Sequence, residues 1–300
     1  MRPLALICVL AVVAAAGCGG SSAPRSERFQ ATVRHADAAG TQIAWYERGR
    51  GPALVMLMGT GSTMSEWDPA LLRLLARQHR LILFDYPGVG LSGRWQGRSF
   101  DSLADSTAAL MDAVGLEHAN VLGWSMGGFV AQRLAVDHRE RVDHLILAGT
   151  NPGGSRAVLG TRQAQRIDSD PNPSDAEILG ELYPPAQQAE GRRFLQRLIT
   201  ASRSGEIPAD FKVAVKTTDR QVAAEDPWLR SDRNYRQLAG VDAPTLAAAG
   251  REDQVVPPVN LERIADRLGD AELRVLEGAH AFLFSDRDAF ARAVEELIGS

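Results

Sequence analysis

The chain has 300 residues, of which 45% are hydrophobic and 23% are charged, a composition typical of a globular protein. Its formal net charge of −4 provides no basic surface of the kind that nucleic acid requires, so a nucleic-acid partner is not expected. Both cysteines, Cys8 and Cys18, lie near the N-terminus. The rest of the chain therefore has no thiol nucleophile and no internal disulfide.

Residues 1–18 have the pattern of an export signal. Arg2 precedes the apolar run PLALICVLAVVAAA, which is too short for a comfortable membrane span. Small residues then lead into Cys18, and a Gly/Ser-rich linker follows at 19–28. This segment resembles a bacterial lipoprotein signal, which implies a lipid-modified Cys18 and an exported protein. It would be anchored at the outer face of the cytoplasmic membrane or be periplasmic or extracellular; plain secretion and an uncleaved anchor are the alternatives.

After the linker, two alternating runs around Ala39 and Gly40 predict a β-hairpin. From Ala53 onward, short continuous apolar runs alternate with amphipathic stretches, as is typical of parallel strands buried between helices. The predicted strands are ALVMLMG (53–59), RLILFDYP (80–87), HANVLGW (118–124), VDHLILAGT (142–150), PTLAAAG (244–250) and AELRVLEG (271–278). This alternation predicts a mostly parallel, doubly wound α/β domain formed by residues 29–150 and 229–300.

Residues 151–228 interrupt the alternation. They contain short polar segments broken by Pro and Gly, and they are too numerous for a loop and too weakly apolar for an independent core. We expect a helical cap over the carboxyl ends of the strands. Its scattered charges favour a pocket for a small substrate over a broad lipid-binding mouth.

The stretch GWSMGG contains the pattern G-x-S-x-G, which places a serine on a sharp strand-to-helix turn above the sheet. Ser125 follows a predicted strand and precedes an amphipathic stretch at about 126–138, as this pattern requires. The first N–H groups of a helix favour negative charge, so the Met126 N–H is a candidate oxyanion donor. The alternative is a turn serine without chemistry.

A nucleophilic serine needs a base and a carboxylate that orients the base. Asp253 in GREDQVVP and His280 in GAHAF each follow a predicted strand. Because parallel strands end at one edge of the sheet, we expect both side chains to lie near Ser125. Glu252 is the substitute acid, and Asp226 is a remoter one.

These stretches, together with LFDYPGVGLS, resemble the α/β-hydrolase superfamily over roughly residues 40–300. The resemblance is strongest to its capped esterase, haloperoxidase and carbon–carbon hydrolase group. It implies an α/β-hydrolase fold with Ser125 as nucleophile, His280 as general base and Asp253 as orienting carboxylate. It also implies the Thr60 N–H as second oxyanion donor, although Met58 stands where the group commonly carries histidine.

Three further residues complete the prediction. Asp85 is expected to be a structural turn residue. Trp124 and Phe282 flank the predicted nucleophile and base, and they are candidates for the wall of the substrate pocket or for packing.

The expected function is a serine hydrolase that acts through an acyl-enzyme on a small carboxylic ester. A perhydrolase or a carbon–carbon bond hydrolase with the same triad is the alternative, and a non-catalytic binding lipoprotein is a third. Neither H-E-x-x-H nor cysteine–histidine spacing is found, so we expect no metal and no cofactor. The expected partners are a small acyl substrate and, through the lipid anchor, a membrane.

Overall fold

The computed structural model of the protein describes residues 29–170 and 173–299. The predicted signal segment, the linker and Cys18 lie outside these residues. Within the described ranges, no helix has both the length and the apolar character needed to cross a bilayer.

The described chain forms one eight-stranded sheet in the order β1-β2-β4-β3-β5-β6-β7-β8. The strands are β1 (Arg34–Ala38), β2 (Thr41–Arg48), β3 (Ala53–Leu57), β4 (Arg80–Phe84), β5 (Ala119–Trp124), β6 (Val142–Ala148), β7 (Thr245–Gly250) and β8 (Ala271–Leu276). β1 and β2 form an antiparallel hairpin, β2 also runs antiparallel to β4, and all later pairs are parallel. The predicted mostly parallel α/β sheet is confirmed.

Alternation along each strand supplies two apolar layers. In β3, Val55 and Leu57 enter the core on one face of the sheet, whereas Leu54 and Met56 enter the core on the other. Every residue of β5 and of β7 is buried. Continuous apolar runs in the sequence therefore correspond to strands that helices cover on both faces.

Eleven α-helices occur in the described residues. They are α1 (Pro69–Leu75), α2 (Phe100–Ala113), α3 (Met126–Asp137), α4 (Arg162–Ser169), α5 (Asp175–Leu182), α6 (Gln188–Ser204), α7 (Val215–Arg230), α8 (Arg233–Gln237), α9 (Val259–Arg267), α10 (Phe282–Ser285) and α11 (Arg287–Ile298). Local sequence explains the start of α1: the Asp68 side chain accepts the Ala70 N–H, and Pro69 occupies the first helical position.

Helices α4 to α7 follow β6 and precede β7 along the chain, in the segment where the sequence predicts a cap. Arg197 of α6 binds the buried Asp68 carboxylate through two hydrogen bonds of 2.9 and 2.6 Å, which attaches this segment to the core. Trp228 of α7 packs on Phe129 of α3 with ring centroids 4.9 Å apart. Helix α7 ends at Arg230, two residues beyond residue 228, where the sequence analysis places the end of the cap segment.

Candidate active site

Ser125 lies on a sharp turn between β5 and α3, with φ 56° and ψ −123°. An L-residue with positive φ is strained, so the surrounding contacts must hold it there. A Cβ on Gly123 would lie 2.3 Å from the Gly127 carbonyl oxygen, and a Cβ on Gly127 would lie 2.0 Å from that of Leu57. The two glycines of G-x-S-x-G are therefore required by close backbone approach, and they allow the turn to project Ser125 above the sheet.

Ser125, His280 and Asp253 form one chain of hydrogen bonds. His280 Nε2 lies 3.0 Å from Ser125 Oγ, and His280 Nδ1 lies 2.8 Å from Asp253 Oδ2. The histidine and the aspartate are both buried. With the Nδ1 proton donated to the carboxylate, Nε2 is left to accept the Ser125 hydroxyl proton. The sequence predicted that these three residues meet, and the structure places them together.

Backbone groups fix the Asp253 carboxylate. Its Oδ1 accepts the N–H groups of Val255 and Val256 at 2.9 and 2.8 Å, which leaves Oδ2 for His280. These two bonds hold the carboxylate in the orientation in which Oδ2 faces the imidazole ring.

The substitute acids that the sequence left open lie elsewhere. Glu252 is exposed, and its backbone N–H donates to the Gly278 carbonyl. Asp226 faces the outside of α7, where it pairs with Arg230 at 2.8 Å. Among these acids, Asp253 is the one that contacts His280.

The loop after β3 lies against Ser125, since a Cβ on Gly59 would be 3.4 Å from the serine Cβ. Cap helix α7 holds this loop through two residues one helical turn apart. Gln221 Oε1 accepts the Gly61 N–H at 2.8 Å, and Glu225 Oε1 lies 3.4 Å from the Thr60 hydroxyl, which donates to it. Side chains of α7 therefore position the segment that carries the predicted Thr60 N–H donor.

Met58 stands where the esterase, haloperoxidase and carbon–carbon hydrolase group commonly carries histidine. Met58 is 2% exposed, and its carbonyl accepts the Tyr86 hydroxyl at 3.2 Å. The predicted Met126 donor begins α3, directly after Ser125. The assignment of the Thr60 and Met126 amides to an oxyanion hole remains a prediction.

Asp85 is structural, as the sequence predicted. Its two carboxylate oxygens accept the N–H groups of Met64 and Leu91 at 2.7 and 2.9 Å. Burial raises the pKa of Asp85 to about 6 despite these donors.

A narrow cavity of about 50 Å³ opens at Ser125, beneath the cap segment. Its apolar wall consists of Phe129, Val158, Leu159, Leu229, Val255 and Val256. Its polar wall includes Thr60, Asn151, Asp168 and Glu225. In this conformation the cavity has room for a small group next to the serine.

For Trp124 and Phe282 the sequence left two roles open, the pocket wall or packing; the structure shows both packed, and neither lines the cavity at Ser125. Trp124 is 3% exposed; its ring packs against His280, and its Nε1 donates to the His280 carbonyl at 3.0 Å. Phe282 is fully buried and packs against Phe290. Side chains alternate between the two faces of β5, and Trp124 points into the hydrophobic core on one face of the sheet. Phe282, in α10, packs into the same core.

Sequence reasoning missed the cap carboxyls that reach this cavity. Burial raises the pKa of Asp168 to about 7 and raises that of Glu225 well above its ordinary range. The sequence holds 37 Asp and Glu residues, and no motif distinguishes these two. The one available signal is the i, i+4 spacing of Gln221 and Glu225, which places both on one face of a helix.

The comparisons with known proteins show the family of this chain. A model of the family described as alpha/beta hydrolase fold matches residues 52–288, and the chain belongs to this family. It is 31% identical over 255 residues to the "Putative carbamate hydrolase RutD" of Azorhizobium caulinodans, covering 82% of this chain and 91% of that protein. It is 30% identical to the pimeloyl-[acyl-carrier protein] methyl ester esterase of Aeromonas hydrophila, covering 84% and 97%.

Among solved structures, an alpha/beta hydrolase fold protein from Chitinophaga pinensis superposes with a TM-score of 0.78. The two chains are 20% identical, and the match covers 90% of this chain and 98% of the other. This likeness supports the fold. The protein is thus a hydrolase of the α/β-hydrolase superfamily, as its sequence resemblance implied.

Proposed function

We propose that the protein is a serine hydrolase that cleaves small carboxylic esters through an acyl-enzyme. The observation that carries this proposal is the chain of hydrogen bonds from Ser125 Oγ through His280 to Asp253. A serine hydroxyl is a weak nucleophile unless an adjacent base takes its proton, and His280 lies within hydrogen-bonding distance of both the hydroxyl and the Asp253 carboxylate.

In the proposed reaction, Ser125 Oγ attacks the ester carbonyl while its proton passes to His280 Nε2. The carbonyl oxygen becomes an oxyanion, which the Thr60 and Met126 N–H groups would stabilise. Collapse of the tetrahedral intermediate breaks the bond to the alcohol, which leaves with the proton from His280. A water molecule, deprotonated by His280, then attacks the acyl-serine and releases the carboxylic acid.

Two further observations support a small ester as substrate. The cavity at Ser125 is narrow and half-lined by apolar side chains, so it suits a short acyl or alcohol group. One relative is named as a methyl ester esterase, and a methyl ester is a carboxylic ester.

The test uses protein that starts near Arg25 and its Ser125→Ala variant. We expect hydrolysis of p-nitrophenyl acetate and butyrate, with kcat at least about 10⁴-fold lower in the variant because the nucleophile is lost. Labelling by a fluorophosphonate probe should disappear with it. The matched control is Ser106→Ala, which removes a buried hydroxyl of α2 that binds the Ser102 carbonyl. Turnover that survives Ser125→Ala would reject the proposal.

We also propose that residues 1–18 direct export and that Cys18 carries a lipid anchor. The support is the sequence pattern alone: an apolar run, small residues and a cysteine before a Gly/Ser-rich stretch. Radiolabelled palmitate should enter the full chain and should be absent from the Cys18→Ser variant. Equal labelling of both chains would reject this anchor.

A further inference from the structure

Two buried carboxyl groups from the cap segment share the cavity with Ser125. Asp168 of α4 is 3% exposed and Glu225 of α7 is 7% exposed, and both line the cavity wall. They come from separate helices that the fold brings together at the nucleophile. Neither is needed for the proton transfers of the proposed reaction.

The hydrogen bonds of these two carboxyl groups are incomplete. Asp168 Oδ2 has no hydrogen-bond partner among the described residues, and Glu225 Oε1 receives only the long contact from the Thr60 hydroxyl at 3.4 Å. None of the described residues that line the cavity is a lysine or an arginine. A buried carboxyl oxygen without a partner is costly, and Glu225 has only one long hydrogen bond. Two such carboxyl groups in a substrate cavity therefore point to a ligand that completes their hydrogen bonds.

We propose that Asp168 and Glu225 bind a protonated amine of the substrate, so that the enzyme prefers esters that carry an ammonium group. The inference rests on the proposed serine hydrolase function of this cavity and names the substrate class. An ammonium group offers several N–H donors and a positive charge, which a pair of carboxylates can accept together. A substrate carboxylate would instead meet two acids and no basic side chain.

The protonation state of the two acids is consistent with this role. Burial favours the neutral form of both carboxyl groups, and an ammonium ion within contact distance favours the ionised form. Binding should therefore release protons to the solvent. The other ionisable groups that act on Asp168 are Glu181, Asp253 and His280.

The kinetic test compares esters of equal shape. L-alanine methyl ester and methyl isobutyrate differ by an ammonium in place of a methyl group on the acyl side. Piperidin-4-yl acetate and cyclohexyl acetate carry the corresponding change on the alcohol side. We expect kcat/KM to favour the ammonium ester of at least one pair by about tenfold or more, at about pH 7, where an amino group is mostly protonated.

In the double variant Asp168→Asn, Glu225→Gln, this preference should fall by about tenfold. The preference is a ratio of kcat/KM values measured on one variant, so a general change in turnover through the Thr60 loop that Glu225 contacts cancels. Glu181→Gln is the matched control, because Glu181 is also a buried cap carboxyl but does not line this cavity. It should keep the preference. Equal use of both esters in each pair, or a preference that survives the double variant, would overturn the proposal.

A binding measurement separates this inference from the proposed function. Calorimetry on the Ser125→Ala variant should detect alaninamide or piperidinium, with an enthalpy that depends on the buffer because protons are released. Isobutyramide should not bind comparably, and the added Asp168→Asn, Glu225→Gln changes should remove the signal. If neutral esters are not hydrolysed but ammonium binding persists, the reaction is wrong and the subsite stands. If esters are hydrolysed and no ammonium binds, the subsite is wrong.

Discussion

The substitution Asp168→Asn tests the burial of this cap carboxyl through stability alone. The folded-state pKa of about 7 lies well above the ordinary value of 3.8 because burial penalises the charged form. Between these values the folded protein binds more protons than the unfolded chain. The free energy of unfolding should therefore fall as the pH rises through this window, and the full loss should be reached above about pH 7.

The expected magnitude follows from the difference of about three pH units between the two values. At about 1.4 kcal/mol per unit, ionised Asp168 lowers the stability of the folded protein by about 4 kcal/mol. Asparagine has nearly the same shape and never ionises. The variant should therefore gain stability relative to the parent by about 2 to 4 kcal/mol between pH 4 and pH 8.

Urea unfolding, followed by circular dichroism from about pH 4 to pH 8, measures this difference. Any pH-independent cost of the amide cancels, because the quantity compared is the change in stability between the two ends. Asp219→Asn is the control, since this carboxyl is exposed on α7. Parallel stability curves for Asp168→Asn and the parent would refute the reasoning, because they would show that Asp168 ionises with its ordinary pKa in the folded protein.

Two other substitutions test the framework of the site. Gly127→Ala should lower the free energy of unfolding by about 3 kcal/mol or more, or reduce the yield of folded protein. The alanine Cβ would lie 2.0 Å from the Leu57 carbonyl oxygen. Thermal unfolding measures this, and an unchanged Tm would contradict it. Gln221→Met removes the acceptor of the Gly61 N–H and should lower kcat by about tenfold with KM within about twofold. A change in KM alone would instead indicate that Gln221 contacts substrate.

Local pattern was enough to predict the framework of the protein. Continuous apolar runs predicted parallel strands that are buried on both faces. Alternation of apolar and polar residues around Ala39 and Gly40 predicted the β-hairpin. The order of Ser125, Asp253 and His280 at strand ends was informative because parallel strands end at one edge of the sheet. Each of these features depends on neighbours in sequence or on a general rule of topology.

The sequence did not predict which way individual side chains point; the tertiary structure was required for that. Trp124 and Phe282 adjoin the triad in sequence, yet packing turns both into the core behind it. Conversely, Asp168 and Glu225 lie far from Ser125 along the chain and share its cavity. Their sequence neighbourhoods are those of ordinary polar helices.

The sequence alone thus determined the fold class and which residues could act as nucleophile, base and acid, because strand periodicity and turn chemistry are local. Only the tertiary structure decided what surrounds the nucleophile. The cap helices reach the cavity through long-range packing, and the burial that raises the pKa of Asp168 and Glu225 arises from atoms distant in sequence. Desolvation is a property of the folded environment, so no local pattern reports it.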